Sequence, residues 1–273
     1  MNKPTIGIVL LQQHGEMKKL RKAWMEAEAL GVDALYTGDH FFAQAPNPEN
    51  TAGGQITTAA DSQNFEATTV QAAMAATTTR PTIGCIVHGI GFRNYNLMAD
   101  IARTIDHISG GRYVLGLGSG YLQEDYVEYG YPYPSQKERL EELARALPVI
   151  KDRFTKLNPA PVQKKIPILI ASMGGPIGMR NVARHADKWN LFGPMAKMRD
   201  VCALFEKTCA EVGRDPAEIE KTAIYVPQLM TDNDPDAMYR ELGIQQLIAF
   251  AQGPDWDLGT LKELLQWRRD LKV

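Results

Sequence analysis

The stretch GGRYVLGLGSGY, Gly110–Tyr121, reads as a buried strand that ends in an open, polar loop. Tyr113, Val114, Leu115 and Leu117 form a short apolar run opened by Gly110-Gly111, the pattern of a strand covered on both faces. The run dissolves into Gly118-Ser119-Gly120, where missing side chains let a ligand approach the backbone. Tyr121 and the acidic pair Glu124, Asp125 follow. In an α/β protein this builds the floor of a site. A glycine-softened strand end with no ligand is the plainer reading of the same residues. A long loop follows in place of a helix, so the segment is not a dinucleotide fingerprint, and it is not a Walker A loop.

Working outward, strands alternate with helices on both sides. Ile6–Leu11, Ala34–Thr37 and Thr82–Val87 precede the quoted strand, separated by helices over Met17–Leu30 and Phe65–Thr79, with a further helix over Asn96–Ile108. After it come helix Gln136–Phe154, strand Pro167–Ala171, helix Ile177–Ala186, strand Lys188–Phe192 and helix Met198–Val212. Strand Thr222–Pro227, helix Pro235–Leu242, strand Gln246–Phe250 and helix Leu258–Leu271 complete the chain. The polar, glycine- and proline-bearing loop Phe42–Gln63 is too long for a simple connection and reads as a lid or mobile segment. Eight alternations with no linker-like break predict one domain over residues 1–273, an α/β (β/α)8 TIM barrel, with a doubly wound sheet as the second option.

A chain of 273 residues suits such a barrel, and a formal net charge of -2 recommends neither nucleic acid nor an anionic membrane surface. No apolar run approaches the ~18 residues that span a bilayer. The N-terminal run ends in Gln12-Gln13-His14 rather than a cleavage site, so it reads as a strand. Cys85, Cys202 and Cys209 have neither disulfide-framework nor zinc spacing, and the chain reads as cytoplasmic.

Catalytic groups of a barrel sit at the C-terminal ends of its strands. Here those ends carry Gln12-Gln13, Asp39-His40, His88, Gly118–Tyr121, Ser172–Gly175 and Gly193-Pro194. Asp39-His40 suits a general acid/base pair or the start of a metal site, or a structural histidine beside a capping carboxylate. Metal ligation lacks diagnostic spacing, and no metal is expected. Ser172-Met173-Gly174-Gly175 before a helix suits a phosphate cradle, with Arg180 and Arg184 adding charge, or a tight turn that needs glycine. No nucleophile elbow appears.

Four segments carry a family resemblance: LYTGDHF (Leu35–Phe41), IGCIVHGIGFRNYN (Ile83–Asn96), ISGGRYVLGLGSGYLQEDYVEYGYPYP (Ile108–Pro134) and ILIASMGGPIGMRNVARHADKWN (Ile168–Asn190). Together they resemble the bacterial luciferase-like superfamily, in particular its oxidoreductases that use the deazaflavin coenzyme F420. The similarity runs from residue 5 to about residue 230 and weakens beyond. It implies that Asp39 and His40 lie near the reactive face of the ring; on that placement His40 is the expected proton donor or acceptor beside the hydride, with Asp39 fixing orientation. It implies a non-prolyl cis peptide at the bulge matched by Cys85-Ile86, with Val87 and His88 along the ring edge. Gly118, Ser119, Gly120 and Tyr121 would contact the ring, and Met173, Gly174 and Gly175 the phosphate.

Two departures stand out. Sugar-phosphate dehydrogenases of this branch have a glutamate at the position of Tyr121 and a tryptophan at the position of Gln44. A sugar phosphate is therefore not the expected substrate, and Tyr121 is left to hydrogen-bond another one. The short segment Thr155–Ile166 implies an open mouth. The resemblance implies an F420-dependent oxidoreductase, with a small-molecule substrate and a second copy in a homodimer as its expected partners. The alternatives are an FMN-dependent monooxygenase and a catalytically idle flavin- or deazaflavin-binding protein.

Overall fold

The computed structural model describes residues 3–46, 56–59 and 61–272. Eight parallel strands close on themselves: β1 Thr5–Leu11, β2 Ala34–Thr37, β3 Thr82–Cys85, β4 Tyr113–Gly118, β5 Ile168–Ala171, β6 Lys188–Leu191, β7 Glu220–Ile224 and β8 Gln246–Gln252. β1 pairs with β8 along its whole length, and β3 pairs with both β2 and β4, which closes the ring. The helices α1 Met17–Leu30, α2 Ala67–Thr77, α3 Tyr95–Ser109, α4 Gln136–Lys156, α5 Pro176–His185, α6 Met195–Val212, α7 Pro235–Arg240 and α8 Gly259–Asp270 follow the strands in turn. This is the (β/α)8 barrel that the alternation predicts.

Local chemistry explains the elements. α1 buries Leu20, Ala23, Trp24 and Ala27, the stripe that 3.6-residue periodicity places on one face, and Gly31 ends it with φ 92°. Ser135 and Glu138 form a capping box that starts α4. All six residues of β4 are buried, as expected of a strand walled by helices outside and side chains inside.

Two strand starts share one clamp. Asp33, just before β2, donates its N–H to the Ile6 carbonyl and accepts the Ile6 N–H on its carboxylate at 2.7 Å. Asp187, just before β6, does the same with Ile168, accepting its N–H at 3.0 Å. Each carboxylate also holds a cation, Arg268 on Asp33 and Lys165 on Asp187.

The sequence expectation of one unbroken strand Thr82–Val87 is corrected at its end. Regular pairing stops at Cys85 and resumes at His88-Gly89. Gly84 lies opposite Val114 and His88 opposite Leu117, so β3 spends one more residue than β4 over this span, a β-bulge. The cis peptide lies within it between Ile86 and Val87, one bond beyond the expected position at Cys85-Ile86. The loop Phe42–Gln63 is partly ordered, with Gln44–Pro46 pairing antiparallel to Ile56–Thr58; residues 47–55 and 60 lie outside the described residues. The loop Tyr121–Pro134 also contains a short helix, Gln123–Val127. Among the described residues no helix is long and apolar enough to cross a membrane.

The bulge makes Gly116 obligatory, because a Cβ there would lie 1.9 Å from the Cys85 carbonyl oxygen. Gly116→Ala should destabilise the protein by about 2 kcal/mol or more, since overpacking into backbone cannot relax by a rotamer change. Urea unfolding of the two proteins checks this.

Candidate active site

A cavity of about 450 Å³ opens at the C-terminal ends of the strands. This lies within the range of about 300–1,000 Å³ typical of small-molecule sites. Val9 and Leu11 of β1, Ile224 of β7, Phe250 of β8 and Ala171 of β5 line its depth. The bulge contributes Ile86 and Val87, and facing them Gly118, Ser119 and Gly120 offer almost no side chain. A Cβ at Gly118 would meet Val87 at 2.5 Å, and Gly120 adopts φ 72° against the Tyr126 hydroxyl, so both glycines are required by close packing.

His40 enters this cavity from the end of β2. Its Nδ1 lies 2.6 Å from the Asp125 carboxylate, whose other oxygen accepts the Phe41 N–H at 2.8 Å. Asp125 is fully buried on the short helix Gln123–Val127, and Asn64 donates to the His40 carbonyl at 2.8 Å. Facing a carboxylate, Nδ1 carries a proton, which makes Nε2 of the neutral ring an acceptor. Nε2 has no partner among the described residues. A histidine held at one nitrogen and free at the other can exchange a proton with a bound molecule.

The sequence expectation that Asp39 orients His40 is therefore corrected: Asp125 does so. Adjacent residues diverge, and Asp39 turns to the neighbouring strand end. Arg93 grips it with two bonds, 2.6 and 2.9 Å, and His88 Nδ1 lies 3.1 Å away. Burial pushes the Asp39 pKa upward, but His88 and Arg93 overcome this and hold it well below the usual carboxylate range. Arg93 also binds Glu66, the N-cap of α2, at 2.7 Å. Burial raises the Glu66 pKa, and the Thr69 and Thr68 bonds outweigh it and bring it down to about 2. Asp39 borders the cavity as a locked anion rather than a proton carrier.

Of the other expected site residues, Tyr121 and Met173 line the cavity. Tyr121 is packed edge-on to His40, and its hydroxyl accepts a bond from Gln44 at 2.7 Å. The two departures from the sugar-phosphate enzymes thus pair with each other. Cys85 and His88 do not reach the cavity. Cys85 is wholly buried, which pushes its thiol pKa well up, and His88 is sealed between Asp39, Gln71 and Tyr113. Gly174 and Gly175, with φ 110° and 80°, lead into α5 outside the cavity lining. Arg184 lies in the last turn of α5, a helix length from the glycine pair, and so cannot add charge there.

Several residues of the site were not singled out by sequence. Asp125 stands in the acidic pair after Tyr121, and nothing in the sequence beyond that pair signalled its contact with His40. Asn190, buried at the end of β6, lines the cavity with its Oδ1 accepting from Thr222 at 2.9 Å. Phe192, Val226 and Leu229 form the mouth. Among the described residues no three His, Cys, Asp or Glu are placed to hold a metal together.

The luciferase-like monooxygenase family profile matches residues 5–270, and the chain belongs to that family. The match runs about forty residues beyond residue 230, where the resemblance in sequence weakens. An F420-dependent glucose-6-phosphate dehydrogenase of Amycolatopsis mediterranei is 28% identical over 180 residues, 60% of this chain and 50% of that protein. A phthiodiolone/phenolphthiodiolone dimycocerosates ketoreductase of Mycobacterium tuberculosis is 26% identical over 230 residues, 75% of this chain and 59% of that one. The matches thus span about half to three-fifths of the curated relatives' length. The solved structure of an F420-dependent secondary alcohol dehydrogenase, in complex with an F420-acetone adduct, shares the fold with a TM-score of 0.78 at 16% identity, covering 98% of this chain and 100% of that one.

Breaking the Arg93 grip leaves Asp39 as a buried, half-paired anion. Arg93→Met should cost about 3 kcal/mol near neutral pH. Ionised Asp39 has a folded-state pKa below its unfolded value of about 3.9, so its stabilisation is present above that pH and lost on acidification. The gap between wild type and variant should therefore narrow as pH falls, as urea unfolding from pH 7 to pH 3 would show.

Proposed function

We propose that this chain is an F420-dependent oxidoreductase that exchanges a hydride with a carbonyl or alcohol substrate. The observation that carries the reading is His40, clamped by Asp125 and open at Nε2, in an otherwise largely apolar cavity at the strand ends. The named activities of the relatives, two of them F420-dependent and one a ketoreductase, support it at the level of the family.

The residues present fit a flat ring with an anionic tail. Ile86, Val87 and the Gly118 backbone packed against Val87 form one wall of the cavity, against which a planar group can lie. Asp39, Ser119, Tyr121 and Met173 stand at its edges. Gly174 and Gly175 at the start of α5 would hold the phosphate with backbone N–H groups, because a helix N-terminus favours an anion. Cys85 and His88 support this wall from behind rather than touching the ring. When bound, the deazaflavin supplies the hydride acceptor or donor, and the protein orients it and excludes competing reactions.

The chain's own part is proton handling at His40 Nε2. In the oxidation direction Nε2 takes the proton of a substrate hydroxyl, and in the reverse direction it returns one to a carbonyl oxygen. Asp125 fixes the tautomer and stabilises the imidazolium that forms. Tyr121 packs on the His40 ring and limits its swing.

His40→Ala should lower kcat by about 10²- to 10⁴-fold, the usual contribution of a positioned acid or base, while cofactor affinity changes little. Asp125→Asn should lie between that variant and wild type. Spectroscopic titration with F420 and, separately, with FMN tests the cofactor. Binding of FMN alone, with oxygen consumed, would overturn the reading in favour of a monooxygenase.

A further inference from the structure

The charge of the barrel is distributed unevenly between its two ends. Every loop that runs from the end of a strand to the start of the next helix lies on the rim around the cavity. The described residues of these eight loops contain eleven Asp and Glu, one Arg and no Lys, out of 30 Lys and Arg in the chain. The single arginine, Arg93, is committed to Asp39 and Glu66. Part of the acidic excess is explained by capping, since Glu66, Asp234 and Asp257 accept N–H groups at helix starts. Capping does not account for the missing cations.

The cavity wall matches this rim. Its charged member, Asp39, is already paired, and Gln44 is bonded to Tyr121. The unspent polar groups include His40 Nε2, the Tyr121 O–H and the amide N–H groups of Asn190, which have no partner among the described residues. At the mouth the side chains are apolar and exposed, Phe192 at 38% and Leu229 at 75%. Exposed apolar side chains around a cavity mark a surface meant to be covered by an apolar ligand.

We infer that the substrate is an uncharged, lipophilic carbonyl compound or its alcohol, whose carbon chain lies on Phe192, Val226 and Leu229 with its oxygen toward His40. With the Gly174-Gly175 amides taken by the cofactor phosphate, an anionic group carried along that chain would lose water without finding a cation in the cavity wall and would face an acidic rim. This rests on the hydride-transfer reading for the choice of a carbonyl; the discrimination against charge rests on the rim, the wall and the filled phosphate site.

A matched pair of ligands tests it. 2-Heptanone and 6-oxoheptanoate have the same seven-carbon skeleton and differ by a terminal carboxylate. Calorimetric or ligand-observed NMR titration of the whole protein, alone and with F420, should find the ketone bound at least about tenfold more tightly. Phe192→Lys should close most of that gap, and Phe192→Met should leave it. Equal binding of the carboxylate, no binding of the ketone, or a gap unmoved by the lysine would overturn the inference. A ketone that binds selectively but is not reduced by the F420-loaded protein would instead overturn the hydride-transfer reading while leaving the substrate class intact.

Discussion

The bidentate ion pair between Arg93 and Asp39 is the constraint on which the site depends. It joins the end of β2 to the segment after β3, across the bulge, and it does so from positions 54 residues apart. Because Asp39 is held on that side, the backbone at His40 must turn the other way, toward the cavity and Asp125. The same carboxylate fixes His88 in the barrel interior, and through it Gln71 and Tyr113. One buried anion thus sets the direction of the proton-handling side chain while taking no proton itself. Its pairing is expensive to break because every partner is desolvated.

The bulge answers a related need. A straight β3 would run flush with β4 and leave no recess between them. The extra residue turns Ile86 and Val87 into the cavity, and Gly116 and Gly118 give way to the displaced backbone and to Val87. The glycines of the quoted strand are therefore explained less by a ligand pressing on them than by their neighbour strand. That is a more specific statement than the sequence allowed, where either reading was open.

The barrel was legible because buried parallel strands and amphipathic helices are local patterns. α1 and β2 were delimited to the residue, since Gly31 ends the one and flanking polar residues bound the other. What escaped was long-range or weakly patterned. Asp125 lies 85 residues from His40, and nothing local ties them. Ile224 and Phe250 read as core residues and became cavity wall only through closure of the ring. The hairpin at Gln44–Pro46 and the helix Gln123–Val127 are too short to show a period. Family likeness located the cis peptide to within one bond; the partner of His40 was misassigned because the role of Asp39 was inferred from its adjacency in sequence rather than from a contact.

The twin carboxylate clamps under β1–β2 and β5–β6 have a consequence for how freely the upper surface can diverge. The two lie four strands apart, at opposite points of the barrel floor, and each ties the start of one strand, Ile6 or Ile168, to the residue preceding the next. Alignment between strands is thereby set from below, at two diametric pins. Segments on the opposite end can be lengthened, shortened or exchanged without letting the staves slip past each other.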